Sequence, residues 1–125
     1  MIKLKPYRFA LLWLALITVL STMPTPQLPE VKVFAPDKVV HFAIYAVLAW
    51  LLSSGYLRAQ GQAAYRYASW AIFLVASCYG VLMEFVQYAF IPGRFYEYGD
   101  MLANAAGAAG GAFANALFWN LKKTA

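Results

Sequence analysis

The chain has 125 residues, room for one domain, and it is 63% hydrophobic and only 12% charged. Ordinary soluble domains carry about 25% charged residues, so a mean hydropathy of +0.60 points to lipid as the solvent. The net charge of +5 does not indicate nucleic acid. Its basic residues stand in small groups between apolar runs, without an interleaved basic and aromatic patch, as at the ends of membrane spans.

Four apolar runs follow in chain order. The first, 9–23, comes after Lys3, Lys5 and Arg8. It has no small-x-small cleavage site and runs into Pro24, which reads as an uncleaved first span rather than a signal peptide. Four prolines (Pro24, Pro26, Pro29 and Pro36) then predict an extended loop. The second run, 39–57, has Asp37 as its expected N-cap. A short basic loop, 58–66, with Gly61 as breaker leads to the third run, 67–91, which ends at a Pro92–Gly93 turn. The fourth, 100–121, is rich in alanine and glycine and is followed by Lys122 and Lys123. The expected fold is therefore all-α: a polytopic bundle of four transmembrane helices forming one domain over 1–125.

Charge sets the expected orientation. Lys3, Lys5, Arg8, Arg58, Arg66, Lys122 and Lys123 fall on the side of the two termini. The positive-inside rule makes that side, and both termini, cytoplasmic. All five acids (Glu30, Asp37, Glu84, Glu97 and Asp100) fall toward the opposite, extracytoplasmic face. Tyr56, Tyr65 and Tyr67 read as interfacial belt residues, and Cys78, without a possible disulfide partner in the chain, as a small packing residue.

Polar groups concentrate in 84–104, "EFVQYAFIPGRFYEYGDMLAN". Helical spacing puts Asp37, His41 and Tyr45 on one face, Glu84, Gln87 and Tyr88 on another, and Asp100, Asn104 and Gly107 on a third. A carboxylate at Glu84 is expensive in a membrane and calls for a partner, with Arg94, Lys38 and His41 the cations at its depth. Asp100 also fits a simple N-cap, and Glu97 a solvated loop charge. Gly107 and Gly111, four apart, allow close helix approach; the tight face is expected inside the bundle or, alternatively, in a homodimer through the fourth span.

The segments "DKVVHFAIYAVLAWLL" and "GVLMEFVQYAFIPGRFYEYGDMLANAAGAAGG" together resemble the VanZ-like family of small bacterial membrane proteins. The family pattern falls on Asp37, Lys38, His41, Glu84, Gln87, Arg94, Asp100 and Asn104, without departure. The resemblance implies a bacterial plasma-membrane protein of the cell envelope, in a family associated with teicoplanin resistance. It supplies a setting but no reaction.

Three readings of the outer polar cluster follow. As a binding protein, it would hold membrane lipid, a lipid-linked cell-wall precursor or an envelope protein. Lys38 and Arg94 would then face anionic groups, and Asp100 and Asn104 hydroxyls or amides. As an enzyme on a lipid-linked substrate, Glu84 or Asp100 would be a base and His41 an acid. As structural glue, the groups would pair with one another. No cofactor is expected, and one histidine with two acids is a poor metal site by count.

Overall fold

The computed structural model describes residues 3–23 and 36–125. A single 3-10 turn, Lys5–Tyr7, leads into α1 (Arg8–Thr22). Three longer helices follow: α2 (Pro36–Gln60), α3 (Tyr65–Phe90) and α4 (Tyr98–Thr124). There is no strand among the described residues. The proline-rich segment expected to form an extended loop lies outside the described residues, apart from Pro36, which opens α2. Proline suits a first helical turn, where its missing N–H would have had no partner.

Neighbouring helices alternate in direction. Trp13 Nε1 of α1 donates to the carbonyl of Ile44 on α2 at 3.0 Å. Gln87 Nε2, near the end of α3, donates to the carbonyl of Ser21 at the end of α1 at 3.1 Å. Tyr65 OH, at the start of α3, reaches Asn115 Oδ1 near the end of α4 at 3.2 Å. Lys3, Lys5 and Arg8 consequently line one concavity with Arg58, and Lys122 and Lys123 line another with Gly61 and Gln62. These six basic residues collect at one end of the bundle, while Lys38 and Arg94 lie at the other. Asp37, Glu84 and Asp100 stand at that second end too.

The most extensive pairing is between α2 and α4, which run parallel. The buried face of α4 is Asp100, Asn104, Gly107, Ala108, Gly111, Ala112 and Asn115. At Gly107 an added Cβ would run into the Phe42 carbonyl, and at Gly111 into the Ala46 carbonyl. The glycine face is thus used within the chain, which brings two backbones into contact as small residues do between helices in lipid. A homodimer through α4 would have to use its outer face, where Phe113 and Leu117 are exposed.

Polarity is inverted relative to a soluble domain. Leu12, Val39, Trp70, Phe90, Leu102 and Phe113 are among many large apolar side chains left exposed on the helices. The buried polar residues include Ser53, Ser54, Glu84, Gln87, Asp100, Asn104 and Asn115. Exposed apolar surface on this scale is foreign to a soluble monomer. Among the described residues two helices are long and apolar enough to cross a membrane, over Asp37–Gln60 and Tyr65–Phe90. The other two fall short for different reasons. With 15 residues, α1 rises about 22 Å against a hydrocarbon core of about 30 Å. Long enough at 27 residues, α4 has its hydropathy lowered by its asparagines and glycines.

Two expectations are corrected. Cys78 is exposed, facing outward rather than packed. Tyr65 is only 5% exposed and serves the interior. Its hydroxyl bonds Asn115, whose Nδ2 donates to Ser54 Oγ at 2.8 Å and to the Trp50 carbonyl at 3.3 Å. This network fastens the basic end of the bundle.

Gly111→Leu should lower the thermal midpoint of purified protein in detergent by the equivalent of about 1–3 kcal/mol or more, because overpacking here displaces backbone. Ala109→Leu, on the exposed side of the same helix, should leave it nearly unchanged. Equal midpoints for the two variants would contradict the α2–α4 contact.

Candidate functional site

The acidic end of the bundle holds the candidate site. Because α2 starts at Pro36, Asp37 lies inside the first turn and not at the cap, where its charge complements the helix N-terminus. Tyr98 starts α4, so Asp100 is likewise within the first turn, and its side chain is committed elsewhere. Lys38 Nζ lies 3.5 Å from Asp100 Oδ1 and 3.8 Å from Glu97 Oε2. Gly99 makes this reach possible, since a Cβ there would meet Lys38 Cε at 2.7 Å. Glu97 is half exposed but paired, rather than simply solvated.

His41 is the hub. Its Nδ1 lies 3.0 Å from Asn104 Oδ1, so the ring N–H donates to the amide oxygen. Its Nε2 is 3.6 Å from Asp100 Oδ2 and 3.7 Å from Asp37 Oδ1. Exposure falls along this series, from Asp37 at 65% of its side chain, through His41 at 20%, to Asp100 at 6%. Solvent therefore reaches the cluster from the Asp37 side.

A cavity of about 150 Å³ opens beside it. Asp37, His41, Glu84, Gln87, Arg94 and Asn104 contribute its polar wall, and Ile17, Leu20, Ile44 and Met83 its apolar one. Of the eight residues singled out from sequence, these six share the cavity. Lys38 and Asp100 do not line it; they pair with each other behind His41. Tyr45, 3% exposed, also faces the cavity, one turn beyond His41 on the same face of α2.

The partner expected for Glu84 is not there. No hydrogen bond or ion pair joins its carboxylate to Arg94, His41 or Lys38, although the residue is only 3% exposed. Arg94 is half-buried, and its Nε is buried without an acceptor. The turn places it there: Gly93, with φ 80°, reverses the chain, and Arg94 N bonds the Ile91 carbonyl at 3.3 Å. Edge-to-face contacts of Tyr96 with Tyr88 and Tyr98, at 5.9 and 5.5 Å between centroids, clasp the same loop from outside. An acid and a base thus face one cavity without neutralising each other by contact. This is a site able to meet both a donor and an anionic acceptor.

Asn115 escaped the sequence reading. Its signal was present, because it continues the α4 face of Asn104 and Gly111 at helical spacing. It lies at the opposite end from the cavity and serves packing.

Removing the charge at Glu84 should stabilise the protein. Glu84→Gln keeps the shape and should raise the thermal midpoint by the equivalent of about 0.5–2 kcal/mol, the usual size of a single stabilising substitution. A lowered midpoint would mean that the carboxylate is held by contacts and is structural.

Compared with known proteins, the chain matches no family model, no curated protein and no solved structure.

Proposed function

We propose that this chain is a VanZ-like multi-pass protein of the bacterial plasma membrane. Its four helices span the bilayer with both termini cytoplasmic, and its polar cavity opens to the extracytoplasmic face. There it binds the anionic headgroup of a lipid, in the first place a lipid-linked cell-wall precursor. A protein holding such a precursor would affect how a glycopeptide such as teicoplanin reaches its target, which gives the family association a physical route.

One observation carries this reading. Arg94 presents a buried Nε without an acceptor to a cavity that lipid and solvent can supply. A buried guanidinium N–H left unpaired is costly, and an anionic oxygen would satisfy it with a charge-assisted bond. The size of the cavity limits the ligand. About 150 Å³ is well below the 300–1,000 Å³ of sites that enclose whole small molecules. It suits one phosphate or a single polar edge, with the rest of the ligand outside in lipid. Lys38, already engaged by Asp100 and Glu97, has a lesser part than the sequence implied.

The orientation rests on charge. The end of the bundle rich in lysine and arginine matches the cytoplasmic side, and the acidic end the outer side. The helix ends agree, since alternating directions put both termini at the basic end.

A second reading has its own observation. A buried carboxylate without a partner, as at Glu84, is the form a general base takes. In that case the protein is a membrane enzyme on a lipid-linked substrate, with Glu84 as base and His41 or Asp100 assisting. Incubation with labelled polyprenyl-linked precursors should then give a product that Glu84→Gln abolishes.

Native mass spectrometry tests binding. Wild-type protein should retain an anionic lipid, and Arg94→Ala should lower retention about tenfold or more, the equivalent of one charge-assisted bond of about 1.5–3 kcal/mol. Arg58→Ala, at the opposite end, should leave retention unchanged. Equal retention by Arg94→Ala and wild type would reject the cavity as the site. Topology is tested separately: a C-terminal fluorescent-protein fusion should fluoresce in bacterial cells, and a C-terminal alkaline phosphatase fusion should be inactive.

A further inference from the structure

The geometry points to a divalent transition-metal site, suited to Zn²⁺ or Mn²⁺, formed by Asp37, His41 and Asp100. It reverses the expectation from counting ligands in the sequence, and it stands whether or not the cavity binds lipid.

Three observations combine. First, one donor atom from each residue lies within 4.8 Å of the others. His41 Nε2 lies 3.6 Å from Asp100 Oδ2 and 3.7 Å from Asp37 Oδ1. Metal bonds of about 2.0–2.2 Å at tetrahedral angles separate donor atoms by about 3.3–3.6 Å. The two histidine–carboxylate separations are within tenths of an ångström of that range, and the two carboxylates close from at most 4.8 Å onto an ion.

Second, the tautomer is set for ligation. Because Nδ1–H donates to Asn104 Oδ1, Nε2 is the nitrogen turned to the carboxylates, and in the neutral ring it carries the lone pair. A lone pair facing two anionic oxygens is repulsive unless a positive species stands between them. Metal-binding histidines are held in this way, through the opposite ring N–H. Asn104, 1% exposed, is a positioning residue in this scheme. Lys38 does not occupy the place, because it takes Asp100 Oδ1 and leaves Oδ2 to the cluster.

Third, Glu84 lines the adjoining cavity, nine-tenths or more buried and without a hydrogen bond or ion pair to any described residue. A cation at the cavity wall would offset its charge, and the same cavity gives the metal's remaining coordination positions a source of water or of ligand oxygen. One imidazole with two carboxylates suits zinc or manganese better than the softer, thiolate-seeking ions. Asp37, the most exposed of the three, provides the route in.

The test uses full-length protein in detergent, stripped with a chelator, in a Cys78→Ser background to remove the exposed thiol. After equilibrium dialysis against Zn²⁺ or Mn²⁺, elemental analysis should find one ion per chain, and the thermal midpoint of the otherwise wild-type protein should rise. Asp100→Asn and His41→Ala should lose the ion, and Asn104→Ala should bind about 10–100-fold more weakly. Circular dichroism confirms that each variant is folded. Where a variant is not, Co²⁺ loaded into the unsubstituted site should give visible d–d bands that Zn²⁺ displaces. No uptake by the parent protein would show that a proton, as imidazolium, is the positive species, and would overturn the proposal. Uptake unchanged in His41→Ala would overturn it as well.

Discussion

The contact of Gly107 and Gly111 with the Phe42 and Ala46 carbonyls sets the rest of the molecule. It fixes how close α2 and α4 run and, because both pairs advance together, in which register. Once Gly107 is seated on Phe42, the preceding turn of α4 has to carry Asn104 against His41, and the turn before that Asp100 against Lys38. In the other direction the same register delivers Asn115 to Ser54 and Trp50. Polar clusters at both ends of the bundle are consequences of one small-residue seam between them. A side chain in that seam would slide both clusters out of reach together.

A second constraint is that the interior is where polarity must go. Outward-facing side chains are largely apolar, so each carboxylate, amide and hydroxyl either finds a partner inside or is kept at a cost. Most find one: Lys38 with Asp100, His41 with Asn104, Gln87 with Ser21, Asn115 with Ser54. Among the described residues the buried hydroxyls of Ser53 and Ser77 also lack a partner, but the charged exceptions are Glu84 and Arg94, and both face the cavity. Opposite charges sharing a cavity without touching store unsatisfied bonding capacity for something else. That separates a binding site from glue more clearly than the identity of the residues does.

Much of this was legible in the sequence, and the omissions have physical reasons. Helix number, the turn at Pro92–Gly93 and the gathering of six of the eight polar residues followed from apolar runs and helical spacing. Which group pairs with which did not. Lys38 turned to Asp100 and left Glu84 without a partner, because Gly99 opens a path for the lysine stem that spacing along separate helices does not reveal. Asp37 and Asp100 looked like caps, yet each helix begins earlier, and the side chains were free for tertiary use. Tyr65 looked interfacial by position, but the depth of a tyrosine depends on whether an acceptor such as Asn115 waits inside. The α4 helix illustrates a limit of hydropathy: the glycines that let backbones touch and the asparagines that serve the interior lower its average, although its outer face exposes Leu102, Phe113 and Leu117.

The short α1 has a mechanical consequence. In a bilayer, α3 at about 39 Å is long enough to cross the whole hydrocarbon layer, whereas α1 at about 22 Å would span it only where the layer thins around it. Hydrophobic mismatch of this size is relieved by thinning the lipid or drawing headgroups inward beside the short helix. Ile17, Leu20 and Ser21, the last turns of that helix, form one wall of the cavity. The membrane would thus be most deformed where the polar interior is nearest, lowering a sill over which a lipid headgroup can pass sideways while its tails stay in the bilayer.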